Sequence, residues 1–334
     1  MKRIEVLDVF RGFAALGVVF FHYSRFFRTI NESNDGYFSL GYFGVMFFFM
    51  ISGFVIFLTL KQSKSPSNFL FRRFSRLYPT FWFCLLLTSL CVRIFGLPGR
   101  EVSWKDMVLN ITMIPQCFKA KDVDGAYWSL IYEFFFYLFM AFLMWTKALK
   151  VLLIWIVPWL FLCLLRQFTT VLSGAATWIF NLNYGTYFIA GIMFYQLKFV
   201  NSKNLFFHVI IICSLLISCI GLKSIVEVIL VVAFYGIFYL FVFEKLDFLA
   251  FKSLTYLGRI SFPLYLVHQN TGYIQLNFLH KLNPQLPMAI ILVPVITSLC
   301  LAGFIHRFVE KPSIRWFRRY FEIADNKKIP VPVT

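Results

Sequence analysis

Charge is scarce in this 334-residue chain. Only 14% of its residues are charged, and just 15 are acidic. Soluble domains carry about 25% charged residues, so the scarcity excludes an ordinary soluble enzyme. Metal-ligand spacing is missing too. Of the seven cysteines, Cys84, Cys91, Cys163, Cys213, Cys219 and Cys300 lie in apolar stretches, while Cys117 sits alone in a polar one. Without a CxxC pair or a Cys/His pattern, neither a disulfide framework nor a metal site is expected. The cysteines are read as small buried apolar side chains. No small-residue cleavage site follows the first apolar run, which begins after Lys2 and Arg3. That run is therefore read as a retained helix and not as a removed leader. Repeats of 20–50 residues and low-complexity tracts are also absent.

What is abundant is apolar surface. The chain is 60% hydrophobic with 45 phenylalanines, and its mean hydropathy is +0.76. On a soluble surface these residues would drive aggregation; in lipid they pack. A spanning helix needs about 20 apolar residues. Ten segments qualify, at about 5–27, 41–60, 76–96, 127–146, 149–166, 178–197, 205–222, 225–244, 254–278 and 287–307. The expected fold is an all-α polytopic membrane protein, a bundle of about ten transmembrane helices forming one domain over 1–334. The net charge of +17 does not describe a nucleic-acid-binding face, because the basic residues lie in the connections. With the N-terminus inside, 21 of the 32 lysines and arginines fall at inner connections and 10 at outer ones, Arg11 being within the first helix. This positive-inside bias predicts both termini in the cytoplasm. The basic amphipathic tail, 311–334 with SIRWFRRYF, suits anionic lipid headgroups. The longest polar connection, 97–126, faces outward and reads either as a lid or half-helix or as a solvated loop.

Four groups of residues can carry chemistry. In LDVFRGFAALGVVFFH, Arg11 and His22 are eleven residues apart. On a helix, eleven steps end about 20° from the starting direction and roughly 16 Å along the axis. The two therefore share one face at different depths, and ionisable groups inside a membrane segment mark function by default. Asp8, one turn before Arg11, is placed to pair with it. Arg72, Arg73 and Arg76 in FRRFSRLYP form a cationic cluster at the start of the third segment. Guanidinium groups bind phosphates bidentately, and positive-inside anchoring accounts for such a cluster equally well. In YWSLIYEFFFYL, Glu133 is a lone carboxylate at the expected depth of His22, with Ser129 and Tyr137 one turn to either side; it is expected to partner the histidine. In GRISFPLYLVHQ, Ser261, Tyr265 and His268 form one stripe, with a kink expected at Pro263. Glu310, in RFVEKPS, is read as a structural group pairing with a loop arginine.

Taken in order, LDVFRGFAALGVVFFH, FFMISGFVIF, FRRFSRLYP, WSLIYEFFFYL, SFPLYLVHQ and FVEKPS resemble the acyltransferase 3 family of integral membrane acyltransferases, from about residue 5 to 315. The resemblance implies a protein of the bacterial inner membrane that moves an acyl group, usually acetyl, from cytoplasmic acetyl-CoA to a sugar hydroxyl on the far side. The acceptor it implies is a polysaccharide or lipid-linked glycan: lipopolysaccharide O-antigen first, with exopolysaccharide, enterobacterial common antigen and peptidoglycan as alternatives. It also implies that Arg72, Arg73 and Arg76 hold the CoA phosphates, that Arg11 is the arginine of the first motif, and that His22 and Glu133 serve catalysis. Ser129, Tyr265, His268 and Asp8 are further candidates. No extracytoplasmic hydrolase-like domain occurs within the chain, so a stand-alone O-acetyltransferase is expected. Val9-Phe10 and Ile131-Tyr132 depart from the family pattern and bear on acceptor choice. In this reading His22 acts either as a general base or as an acyl-accepting nucleophile. A transporter or flippase for an anionic or lipid-linked sugar is the alternative from another class, since polar groups at two depths in one seam would serve it as well.

Overall fold

The structure, a computed structural model, describes residues 4–31, 38–170, 172–285 and 287–326. Lys2, Arg3, Lys327 and Lys328 of the inner basic set lie outside the described residues. Every described regular element is helical. In chain order the helices are α1 (Glu5–Asn31), α2 (Gly44–Lys61), α3 (Pro66–Phe95), α4 (Trp104–Asn110), α5 (Leu130–Trp145), α6 (Leu152–Phe168), α7 (Ala175–Ile179), α8 (Gly185–Phe199), α9 (Leu205–Cys219), α10 (Ile225–Val242), α11 (Lys252–Leu282), α12 (Leu292–Ile305) and α13 (Lys311–Asn326). Each of the ten apolar segments expected from the sequence is helical over most of its length. Among the described residues six helical stretches are long and apolar enough to cross a membrane: Glu5–Asn31, Ser39–Lys61, Pro66–Phe95, Gly125–Trp145, Ile225–Val242 and Met288–Phe317. Ile154–Phe168 and Leu205–Cys219 are shorter apolar helices.

Local chemistry sets the helix starts. Ser65 accepts a hydrogen bond from the Asn68 N–H and precedes Pro66 at the first position of α3, a combination that satisfies one free N–H and fixes φ. Ser224 caps α10 in the same way through the Glu227 N–H. α11 continues through Pro263 without a break in the helix.

The centre of the bundle is the α1–α11 seam. The helices approach so closely that a Cβ on Gly258 would lie 1.8 Å from the Asp8 carbonyl oxygen. The second close seam joins α2 to α8, where a Cβ on Gly53 would lie 2.2 Å from the Phe188 carbonyl and one on Gly191 would lie 2.1 Å from that of Met50. Small residues let helix backbones approach in membrane bundles, where packing replaces the hydrophobic effect. α12 runs through a π-helical turn (His306–Glu310) into α13. Phe317 of α13 packs against Phe71 and Phe74 at the start of α3, so this end of the tail rests on protein; Trp316 is exposed.

The 97–126 connection is an ordered cap over one end of the bundle. Asn110 is fully buried and donates to the Asp106 and Lys121 carbonyls, each at 2.8 Å, and its side-chain oxygen accepts from the Val123 N–H. The Asn270 side chain in turn donates to the Val123 carbonyl at 2.8 Å. The half-helix alternative thus describes it, through α4.

Candidate functional site

The sequence candidates fall into two linked groups. The first surrounds a cleft of about 740 Å³ between α1, α2, α3, α5 and α11, lined by Arg11, Ser52, Arg73, Arg76, Ser129, Glu133, Tyr137, Ser261 and Tyr265, with Val45, Phe48, Phe49 and Ile56 as apolar wall. Asp8 is buried and lies 4.0 Å from Arg11. This is the pairing expected one helical turn apart, and it lowers the cost of holding a guanidinium inside the bundle.

The arginine cluster divides. Arg73 is buried, donates to the Thr59 hydroxyl, and lies 5.7 Å from the ring centroids of both Phe69 and Tyr137. Arg76, one turn on, also lines the cleft. Arg72 is exposed and is not part of the lining. Three arginines in one sequence pattern therefore supply two guanidinium groups to the cleft, because adjacent helical positions point about 100° apart.

Glu133 accepts hydrogen bonds from Tyr137 at 2.5 Å and Ser52 at 3.2 Å. Its expected pairing with His22 is not what the structure contains: the carboxylate faces the arginine cleft, and His22 is elsewhere. The rotation of α5 about its axis decides this, and depth along the helix does not reveal it.

The second group is built on the C-terminal half of α11. His22 Nδ1 lies 3.2 Å from the Tyr273 hydroxyl, and its ring is 5.1 Å from that of His268, centroid to centroid. His268 is fully buried. Its Nδ1 lies 2.9 Å from the Tyr265 carbonyl, which can only accept; the proton therefore resides on Nδ1 and Nε2 is a bare lone pair. That Nε2 has no hydrogen-bond partner among the described residues. Tyr265 joins the two groups. Its hydroxyl donates to the Ala126 carbonyl at 2.7 Å and, having spent its single proton, accepts from Ser129 at 2.7 Å. Its ring lies 5.8 Å from that of His268. The chain of contacts from cleft to His22 thus runs through Ser129, Tyr265 and His268.

Residues outside the sequence candidates hold this second group in place. Tyr23 donates to the His268 carbonyl at 2.7 Å and touches Ser298 at 2.8 Å. Tyr127 donates to the Leu266 carbonyl. Asp124, fully buried, accepts from the Ala126 N–H and the Asn270 N–H, each at 3.0 Å. Burial pushes its carboxyl up to about 6, against the pull of those N–H groups and of the Arg100 charge. Arg100 lies 5.5 Å from the ring centroid of Tyr273, the hydrogen-bond partner of His22. An arginine in an outer loop, against the positive-inside bias, was the available sequence signal for it. At the end of α12, Glu310 pairs with His306 at 2.6 Å, one turn back on its own helix, and not with a loop arginine. Among the described residues no cluster of three histidine, cysteine or acidic side chains is placed to hold a metal ion.

Comparison with known proteins agrees with these features. The Acyltransferase domain family matches residues 4–307. Acyltransferase MdmB of Streptomyces mycarofaciens is 28% identical over 159 residues, 44% of this chain and 40% of the relative. Protein 2 in the picA locus of Rhizobium radiobacter is 34% identical over 105 residues, 29% of this chain and 51% of the relative. The chain's matches span about half the length of these curated relatives, or less. No solved structure matches. With its domain match covering nearly the whole length and its motif residues gathered along one seam, the chain belongs to the acyltransferase 3 family.

Proposed function

We propose that this protein is a membrane-bound O-acyltransferase that carries acetyl from cytoplasmic acetyl-CoA to a hydroxyl of an extracytoplasmic glycan, O-antigen being the leading acceptor. The observation that carries the reading is one continuous seam. It begins at two guanidinium groups lining the cleft and passes by contact through Ser129, Tyr265 and His268 to His22, in a chain whose domain is that of an acyltransferase. All ten apolar helices cross the membrane in this reading, with both termini in the cytoplasm and the tail partly on anionic lipid.

Arg73 and Arg76 hold the CoA phosphates at the inner mouth, and Glu133 with Tyr137 keeps Arg73 in its buried position. The slender pantetheine arm passes Arg11 toward Tyr265. With its proton on Nδ1 and donated to the Tyr273 oxygen, His22 presents Nε2 as a base. It takes the proton of the acceptor hydroxyl as that oxygen attacks the thioester carbonyl. The carbon–sulfur bond breaks, and the imidazolium returns the proton to the departing CoA thiolate. General-base assistance of this kind is worth about 10²–10⁴-fold. His268 takes the supporting place expected of Glu133, since it is the ring packed against His22.

The test is acetyl-CoA consumption by purified protein in lipid nanodiscs, with and without glycan acceptor. Acceptor-dependent consumption, abolished by His22→Ala with CoA binding retained, is the expected result. Transport of the glycan without thioester cleavage would overturn the reading. Labelled acetyl retained on the protein before acceptor is added would replace the direct transfer by an acyl-histidine route.

A further inference from the structure

A second cavity, also of about 740 Å³, lies under the outer cap between the end of α3 and α4. Arg93 and Arg100 line it, with Ser89, Met107 and Val123. Arg100 belongs to this cavity and to the surroundings of His22 at once. Tyr273 bridges the two: its ring centroid lies 5.5 Å from the Arg100 guanidinium and its hydroxyl 3.2 Å from His22 Nδ1. The guanidinium is brought in close because residue 125 is glycine: a Cβ there would lie 2.9 Å from Arg100 Nη1 and 2.8 Å from Gln269 Nε2. Gln269 is buried, donates to the Tyr273 hydroxyl at 3.4 Å, and its side-chain oxygen has no partner among the described residues.

Among the described residues no carboxylate lies within ion-pair range of Arg25, Arg93 or Arg100. Asp124, the buried acid that feels Arg100, is committed to the N–H groups of Ala126 and Asn270. Glu101 lines the cavity but is exposed to solvent. Arg93 is held against the Trp104 ring, 3.7 Å from its centroid, and donates to the Val102 carbonyl. The result is an arginine pair at the outer end of a membrane bundle, where positive charge is ordinarily sparse.

We infer that this cavity is an anion-binding site and that the acceptor carries a phosphate or carboxylate, seated at Arg100, which sets its hydroxyl against His22. Arg100 holds the anion through charge-assisted hydrogen bonds, and Arg93 provides the flank. Naming the ligand as the acceptor rests on the acyltransferase reading; the anion site itself does not. Two sources share the chemistry, the phosphate that links a glycan to its lipid carrier and the carboxylate of an acidic sugar.

Calorimetric titration of the purified protein in nanodiscs tests this, with excess CoA present to occupy the inner arginines. The probes are pyrophosphate, glucuronate and glucose. At least one anionic probe should bind, at least 10-fold weaker in Arg100→Gln and within about 3-fold of the original in Arg100→Lys, with binding weakening as salt rises. Binding of pyrophosphate alone identifies a carrier phosphate, and of glucuronate alone an acidic sugar. If both bind, both sources stand. Equal binding to the unaltered protein and Arg100→Gln, or no anion binding, overturns the inference. Should Arg100→Gln not fold, the salt dependence and Arg100→Lys decide alone, and binding indifferent to salt overturns the inference. Arg100-dependent binding without acetyl-CoA turnover would leave this site standing while the acyltransferase reading falls. Turnover without it would do the reverse.

Discussion

Substituting Gly258 by alanine tests the central seam. The added Cβ would start 1.8 Å from the Asp8 carbonyl oxygen, 2.3 Å from its carbon and 2.6 Å from its Cα. All three are backbone atoms, so no side chain can swing aside. Cβ contacts shorter than 3.0 Å essentially never occur, and raising 1.8 Å to 3.0 Å forces α1 and α11 apart by about an ångström. Gly12, on the facing side, offers no slack, since its own Cβ position is already 2.9 Å from the Leu257 side chain. Overpacking of this kind costs about 1–3 kcal/mol. The functional effect is larger. Arg11 and His22 ride on α1, while Ser261, Tyr265 and His268 ride on α11. A displacement of about 1 Å between reacting groups costs on the order of 100-fold in rate. Gly236→Ala in α10 is the control, because no atom lies within 4 Å of that Cβ; there the alanine should stabilise by about 0.5–1 kcal/mol. Thermal unfolding and acetyl-CoA turnover in nanodiscs read both variants. Equal melting temperature and turnover for Gly258→Ala and the unaltered protein would refute the close-packed seam.

Three further outcomes follow from the geometry. Arg73→Ala and Arg76→Ala should each weaken CoA binding about 10–100-fold, the worth of a charged hydrogen bond; exposed Arg72→Ala should change it less than 3-fold, and a larger effect in a CoA titration would restore the third arginine to the cleft. Asp124, with its carboxyl pushed up to about 6 from 3.8 by burial, is more protonated in the folded state. Its contribution is therefore complete below pH 3.8 and is lost as pH rises through 6, by about 3 kcal/mol. The melting temperature of Asp124→Asn should lack this part of the fall between pH 4 and 6, and parallel curves would show that burial does not control this group. Removing either member of the buried His306–Glu310 pair should cost about 3–5 kcal/mol, and removing both should cost less than the sum of the single changes in a double-mutant cycle of unfolding, strict additivity being the adverse result.

Much of this was legible in the chain. The ten apolar segments came from hydropathy, since burial in lipid needs long apolar runs and little else. Asp8 with Arg11, and Ser261 with Tyr265 and His268, came from helical spacing, which fixes what shares a face within one helix. Spacing cannot fix which way that face turns relative to a neighbour. Glu133 was expected beside His22, yet α5 presents it to Ser52 and Tyr137, and the neighbour of His22 is instead His268. Arg72 fails for the same reason on a smaller scale. Arg100 and Asp124 lie in the cap, where no periodicity exists, and their positions are set by buried Asn110 and by the N–H of Asn270. The acyl donor, the acceptor and the sidedness of the termini stand on family resemblance and charge bias.

The polarity of α11 has a consequence for how the protein is made. It is 31 residues long, yet it is not among the helices apolar enough to cross a membrane by themselves. Ser261, His268, Gln269, Asn270 and Thr271 would meet hydrocarbon if it were released into the bilayer alone. Tyr23 from α1 and Asp124 and Tyr127 from the cap satisfy its backbone groups, and all three are synthesised more than a hundred residues earlier. The first helices and the cap therefore have to wait at the insertion machinery as a half-built cradle, open on one side, until α11 arrives and α12 closes it. Biogenesis of this protein is a late, cooperative docking event, and a ribosome stalled before α12 would hold a bundle whose central helix has no stable place in the lipid.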